Sequence, residues 1–322
     1  MTRVHVWGAS GYGAAEAIRL LDAHPFFEVG ALESRSHAGV ALGDHFPLLR
    51  TTPYVFSGEG AVLGAIRPGD FVIAAGAHGE AHAHVPAFID AGARVVDLSA
   101  DYRFDENAVY GLAEWNDVSQ ARLVANPGCY PTATLLGLLP LRALTARPVQ
   151  LVVDAKSGIT GAGRKPVTGS LYAEVAGDIR AYGVDGHRHQ PEIERSLRWN
   201  HIEAPLVFTP HVVPLSRGML ADSYALYDRS PDEDEVRAVY KAVYAGSPFI
   251  RIVEGERVPS VAAVAGTNDA EIRIDVRGNV VRAICAIDNL GKGAAGQAVQ
   301  NLNIMLGYPE ETGLHARAIV AG

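Results

Sequence analysis

An alternation in the N-terminal part of the chain restricts the fold more than any other feature. Short apolar runs at residues 3–7, 27–32, 71–75, 94–98 and 123–125 are interleaved with helical patterns at 12–23, 80–91 and 132–144. The runs are continuous rather than alternating, as strands covered on both faces require, and helices between strands imply parallel crossovers. The first helical pattern stops at His24-Pro25. This arrangement predicts a Rossmann-type doubly wound α/β sheet.

Beyond residue 150 the pattern changes. Longer β runs occupy 150–156, 204–214, 219–227, 271–276 and 280–287, the last two joined by Arg277-Gly278-Asn279, a hairpin signal. One helix interrupts them. Ser230-Pro231-Asp232-Glu233 reads as a capping box with proline at the first helical position, and the helix runs on over 236–244. A second α+β lobe of mainly antiparallel sheet is expected, with a final helix over 294–306 returning to the first lobe. The 322 residues suffice for two lobes.

The loop Gly8-Ala9-Ser10-Gly11-Tyr12-Gly13-Ala14 joins the first strand to the first helix. Gly8 and Gly11 allow a tight turn that brings backbone N–H groups and a helix N-terminus against a pyrophosphate, with Ser10 and Tyr12 beside it. Glu33-Ser34-Arg35-Ser36 ends the second strand, where an adenosine ribose is read. Ser34, Arg35 and Ser36 suit a 2′-phosphate and point to NADP(H). Glu33 pulls the other way, because a carboxylate there accepts from a free 2′-hydroxyl.

A formal charge of -8 argues against a nucleic-acid surface. No apolar run approaches a membrane span, and the N-terminus enters a strand at once, so a cytoplasmic location and no membrane partner are expected. The two cysteines, Cys129 and Cys285, give neither a disulfide framework nor a CxxC metal site, and no metal is expected. Cys285 lies in a β run and reads as core.

Cys129 is different. Asn126-Pro127-Gly128-Cys129-Tyr130-Pro131-Thr132 follows a β run and opens an apolar helix, so the sulfur lies near a helix N-terminus, where thiolate is favoured over thiol. A thiolate attacks a carbonyl to give a thioester, and a thioester accepts hydride. Gly186-His187-Arg188-His189-Gln190-Pro191-Glu192 places two imidazoles in a turn before a helix, candidates for proton transfer. Alone, that pair would suit a solvated turn or a metal equally well.

Taken together, these stretches resemble the N-acetyl-γ-glutamyl-phosphate reductases of arginine biosynthesis, within the aspartate-semialdehyde dehydrogenase-like group. The similarity also takes in VVDLSADYRF (95–104), SGITGAGRK (157–165), FTPHVVPLSRGML and IDNLGKGAAGQAVQNLN, and so covers nearly the whole chain. It implies Cys129 as nucleophile, His187 as acid–base and His189 in support. It implies Arg103, Tyr182, Ser157, Arg164 and Arg217 around the substrate. Gly158, Asn289 and Lys292 would join the loop residues on the cofactor. The resemblance further implies an NADP-binding domain (1–128 with 291–322), a catalytic and dimerisation domain (129–290), and a homodimer or homotetramer. The reaction implied is reduction of a small acyl phosphate, N-acetyl-γ-glutamyl phosphate, to the semialdehyde by NADPH. The alternatives are the same chemistry on a carrier-linked aminoadipyl or glutamyl phosphate, an aspartate-semialdehyde dehydrogenase, whose cysteine is usually followed by asparagine or threonine, and a non-catalytic NADP-binding sensor.

Overall fold

A computed structural model describes residues 1–166 and 168–315; residues 316–322, which the sequence assigns to the end of the first domain, lie outside the described residues. The described residues form two compact units, 1–127 with 294–315, and 128–293.

The first unit is a Rossmann-type layer. Its strands are β1 (Thr2–Trp7), β2 (Phe27–Glu33), β3 (Phe71–Ala74), β4 (Arg94–Asp97), β5 (Val109–Tyr110) and β6 (Leu123–Ala125), in the order β2-β1-β3-β4-β6-β5, all parallel. Every residue of β3 and β6 is buried, which is why those runs read as unbroken apolar sequence. Helix α1 (Tyr12–Asp22) covers the sheet with Ala14, Ile18 and Leu21 among its buried residues. The short helices α2 (Leu42–His45) and α3 (Ala61–Ala65) and the longer α4 (Ala81–Asp90) follow. The chain leaves β1 for β2 on one side and crosses to β3 on the other. The C-terminal ends of β1 and β3 therefore form the topological switch point, where open α/β sheets bind ligands.

The second unit holds a mixed sheet: β7 (Gln150–Ser157), β8 (Arg180–Ala181), β9 (Leu206–Val212), β10 (Met219–Leu226), β11 (Ile250–Ile252), β12 (Ala270–Arg277) and β13 (Val280–Ile287). The order is β11-β12-β13-β10-β7-β9-β8. Four of the six pairings are antiparallel; β11/β12 and β7/β9 are parallel. Gly278, at φ +57°, turns the β12–β13 hairpin. Its helices are α5 (Cys129–Leu138), α6 (Tyr172–Val175), α7 (His189–Trp199), α8 (Glu233–Val243) and α9 (Val261–Val264). The cap of α8 is Asp232, which accepts from the Glu235 amide, and not Ser230, whose hydroxyl donates to Gly278 O across the hairpin. Pro231 thus precedes the cap rather than opening the helix. Cys285 is a core residue of β13, 1% exposed. A last helix, α10 (Gly296–Leu306), returns to the first unit after a single π turn over Gly291–Ala295. Among the described residues, no helix is long and apolar enough to cross a membrane.

Helix α5 is apolar on every side because every side is covered: Tyr130 through Leu138 are all buried. The Tyr244 hydroxyl donates to Leu136 O at 2.6 Å and the Tyr240 hydroxyl to Gly137 O, satisfying carbonyls the helix leaves open at its end. Its N-terminal residue is Cys129, so the sulfur rests on one of the best-anchored segments of the unit. Leu135→Ala, at a fully buried position, is expected to destabilise the second unit by about 2–5 kcal/mol. A lowered urea midpoint at unchanged slope is the result that checks this.

Candidate active site

The nucleotide cradle belongs to the first unit. Gly8 has φ +75°, and a Cβ on it would lie 2.5 Å from Gly76 N, so the loops after β1 and β3 meet there without side chains. Gly11 caps α1 in extended conformation. A Cβ on Gly11 would meet nothing within 4 Å, leaving open space over the first turn of the helix, where a pyrophosphate fits.

The conflict posed by Glu33 is resolved by burial. Its side chain is 3% exposed, and Oε2 accepts the Val62 amide at 2.9 Å in the first turn of α3. A carboxylate oxygen committed to the Val62 amide is not free to accept from a ribose 2′-hydroxyl, the contact that would favour NAD. Ser34 is buried, whereas Arg35 and Ser36 are exposed. The Arg35 guanidinium reaches Glu80 at 2.7 Å, an exposed pair that solvent screens.

The nucleophile lies in the second unit. Gly128 caps α5 with an extended backbone (φ -69°, ψ 156°), and Thr132 N donates to Gly128 O at 2.9 Å to begin the helix. The Gly128 amide donates to Oε1 of Glu192 at 2.9 Å. Glu192 lies on the buried stripe of α7, with His189, Ile193, Ser196 and Leu197, the i, i+3, i+4, i+7, i+8 pattern of a helix packed on one face. One buried carboxylate therefore links the helix bearing the imidazoles to the turn bearing the thiol. On another side, a Cβ at Gly293 would lie 2.8 Å from Cys129 Cβ, so the π turn presses bare backbone against the nucleophile.

A cavity of about 380 Å³, in the range of small-molecule sites, is lined by Cys129, Tyr130, Ser157, Gly158, Tyr182, His187 and His189, with Arg180 and Arg188 as its cations. The Tyr182 hydroxyl donates to the Tyr130 hydroxyl at 3.3 Å, which donates to His211 O at 2.9 Å. Burial pushes both phenols above their ordinary range, so both remain neutral. The His187 ring makes edge contacts with Tyr130, Tyr182, His189 and Phe208 at 4.9–5.6 Å between centroids. Burial, helped by the neighbouring Arg188 charge, lowers its pKa to about 4. The His189 amide donates to His187 Nδ1 at 3.1 Å. A neutral imidazole whose Nδ1 accepts must carry its proton on Nε2.

Other candidates from the sequence lie elsewhere. Arg164 is exposed and does not line the cavity. Arg217 forms a bidentate pair with fully buried Asp288, Nε to Oδ2 at 2.6 Å and Nη2 to Oδ1 at 3.0 Å. Asn289 accepts from Gly218 N and donates to the Thr160 hydroxyl, pinning the loop after β7 that carries Gly158. Lys292 is fully buried, its ammonium 5.6 Å from the Phe249 ring centre. Arg103, in the first unit, is 5% exposed and donates to Asn126 O and Leu98 O, bracing the segment before Pro127. Sequence reading missed Arg180, Arg188, Glu192 and Gly293. Arg188 and Glu192 lie inside the histidine motif, where a polar residue in helical register with His189 was the available signal.

Two family models match: "Semialdehyde dehydrogenase, NAD binding domain" over residues 3–122 and "Semialdehyde dehydrogenase, dimerisation domain" over 129–289. The chain is 40% identical to the N-acetyl-γ-glutamyl-phosphate reductase of Geobacillus stearothermophilus, over 99% of each chain. It is 42% identical to that of Pseudomonas entomophila, over 98% of each. Among solved structures it is similar to aspartate semialdehyde dehydrogenase II of Vibrio cholerae (TM-score 0.74, 16% identity, 95% of this chain and 98% of that one). It is also similar to aspartate semialdehyde dehydrogenase with NADP from Candida albicans (TM-score 0.73, 17% identity, 95% and 99%).

His187 is expected to titrate near pH 4 in the folded protein, followed by the ¹⁵N shifts of its ring; a midpoint near the usual 6.5 would contradict the burial argument. Because its folded pKa lies below the unfolded value, its contribution to stability is complete above about pH 6.5 and is lost as the pH falls toward 4. Arg188→Gln is expected to raise the midpoint by removing an adjacent cation.

Proposed function

Because the chain belongs to the N-acetyl-γ-glutamyl-phosphate reductase family of semialdehyde dehydrogenases, we propose that it reduces N-acetyl-γ-glutamyl phosphate to N-acetylglutamate 5-semialdehyde with NADPH in arginine biosynthesis, through a thioester on Cys129. The observation that carries the reading is a cysteine at the N-terminus of a buried helix, in one cavity with two arginines and an imidazole whose Nδ1 accepts, leaving the ring proton on Nε2. Full-length similarity to reductases of the free metabolite disfavours a carrier-linked substrate.

The amide dipoles of α5 stabilise Cys129 as thiolate without a dedicated base. Thiolate attack on the acyl carbon expels phosphate, which takes up the single proton the reaction consumes. Gly8, Ser10, Gly11, Tyr12, Ser34, Arg35 and Ser36 would hold NADPH, which when bound would supply the hydride for the thioester. The resulting thiohemiacetal oxyanion is held by the first-turn amides of α5 and by His187 Nε2–H, a type of stabilisation worth several kcal/mol. Its collapse forms the aldehyde and returns the thiolate, so His187 acts throughout as a neutral donor and need not accept the thiol proton. Arg180 and Arg188 meet the carboxylate and phosphate of the substrate, with Tyr182 and Ser157 shaping the wall and His189 fixing the His187 tautomer through its amide. Gly158, Asn289, Lys292 and Arg217 shape and brace the backbone of the second unit, and Arg103 braces the segment before Pro127 in the first. The matched dimerisation domain supports an oligomer, which we take as a homodimer or homotetramer in the cytoplasm.

The test is the reverse assay: pure protein, semialdehyde, phosphate and NADP. Cys129→Ala is expected to abolish phosphate-dependent reduction of NADP while NADPH binding persists; residual turnover near wild type would refute the thioester. Gly293→Ala, which forces a methyl group toward Cys129 Cβ, is expected to lower kcat about 10–100-fold at unchanged NADPH affinity.

A further inference from the structure

The first unit contains a second cluster of imidazoles that the chemistry above does not use. His37 Nδ1 lies 2.8 Å from the Ser36 hydroxyl and 3.4 Å from that of Ser34, the two serines assigned to the 2′-phosphate. Its ring lies 4.0 Å from that of His45, and His45 Nε2 lies 3.3 Å from Ser10 O in the glycine loop. Phe56 closes the group, 5.9 Å from His37 and 5.3 Å from His45 between ring centres. Both imidazoles are half-buried. The pair thus spans the two segments that receive the adenosine half of a dinucleotide, the loop after β1 and the end of β2.

We propose that His37 is a ligand of the NADPH 2′-phosphate, held in place by His45, and that it makes preference for NADPH over NADH depend on pH. This rests on the NADPH reading above. Among the described residues, Arg35 is the further cation next to these serines in sequence, engaged by Glu80 and lying in the field of Glu33 and Glu59. A phosphate arriving there meets carboxylates as well as arginine, and a protonated imidazole on the serine side supplies the charge that offsets them. Guanidinium and carboxylate groups titrate outside pH 6.5–9 as classes, and a phosphate monoester is already mainly a dianion above pH 6.5, so neither class accounts for a change within that window. Protonation favours the phosphate, so discrimination is greatest at the acidic end and declines as the pH rises.

The experiment is equilibrium binding of NADPH and NADH to the full chain, read by nucleotide fluorescence between pH 6.5 and 9. For the unaltered protein the ratio of Kd(NADH) to Kd(NADPH) is expected to fall about tenfold across the window, the scale of one hydrogen bond to a charged group. His37→Gln should show a low, flat ratio. His37→Lys, which keeps a cation through the window, should show a high, flat ratio. NADH affinity is the folding control and should be unchanged in both variants. A His37→Gln curve that follows the unaltered protein would overturn the inference and leave NADPH binding intact. Loss of NADH binding in both variants would make His37 a loop scaffold and overturn it equally. Failure of the unaltered protein to bind NADPH would instead overturn the functional reading.

Discussion

The bond from the Gly128 amide to the Glu192 carboxylate organises the second unit. It satisfies one N–H at the start of a helix that has almost no solvent around it, and it does so from the helix that carries the imidazoles. Hydrogen bonds to charged groups contribute about 1.5–3 kcal/mol, and leaving either partner buried and unpaired costs more. The nucleophile turn and the histidine turn are therefore fixed by one contact, with Gly293 excluding any side chain from the other flank of Cys129. The sulfur has a defined position because the backbone around it has nowhere else to go.

Much of this was legible in the chain. Continuous apolar runs announced strands buried on both faces, and the glycine spacing after β1 announced a helix N-terminus left open for an anion. Cys129 stood out because glycine and proline enclosed it at a strand-to-helix turn. What remained hidden depended on where side chains turn. Glu33 reads as an NAD determinant until its carboxylate is found on Val62 N. That Arg217 pairs with Asp288 is likewise invisible in the sequence, where it reads as a substrate arginine. The short strands β5, β8 and β11 have two or three residues each, too few for a period to register.

The imidazole illustrates the same point in chemical terms. The motif shows two histidines and an arginine, which suggests a base and its partner. In the folded chain the His189 amide occupies Nδ1, and burial and Arg188 keep the ring neutral. The balance of the reaction then falls into place, since the only proton required goes to phosphate and the ring needs only to donate.

The most direct measurement is to supply N-acetyl-γ-glutamyl phosphate without NADPH, quench in acid, and map the protein by peptide mass spectrometry. The account predicts an N-acetylglutamyl thioester on the peptide containing Cys129, which disappears when NADPH is added before the quench. An adduct on Cys285 or on any other residue, or none at all in protein that still turns over, would contradict it.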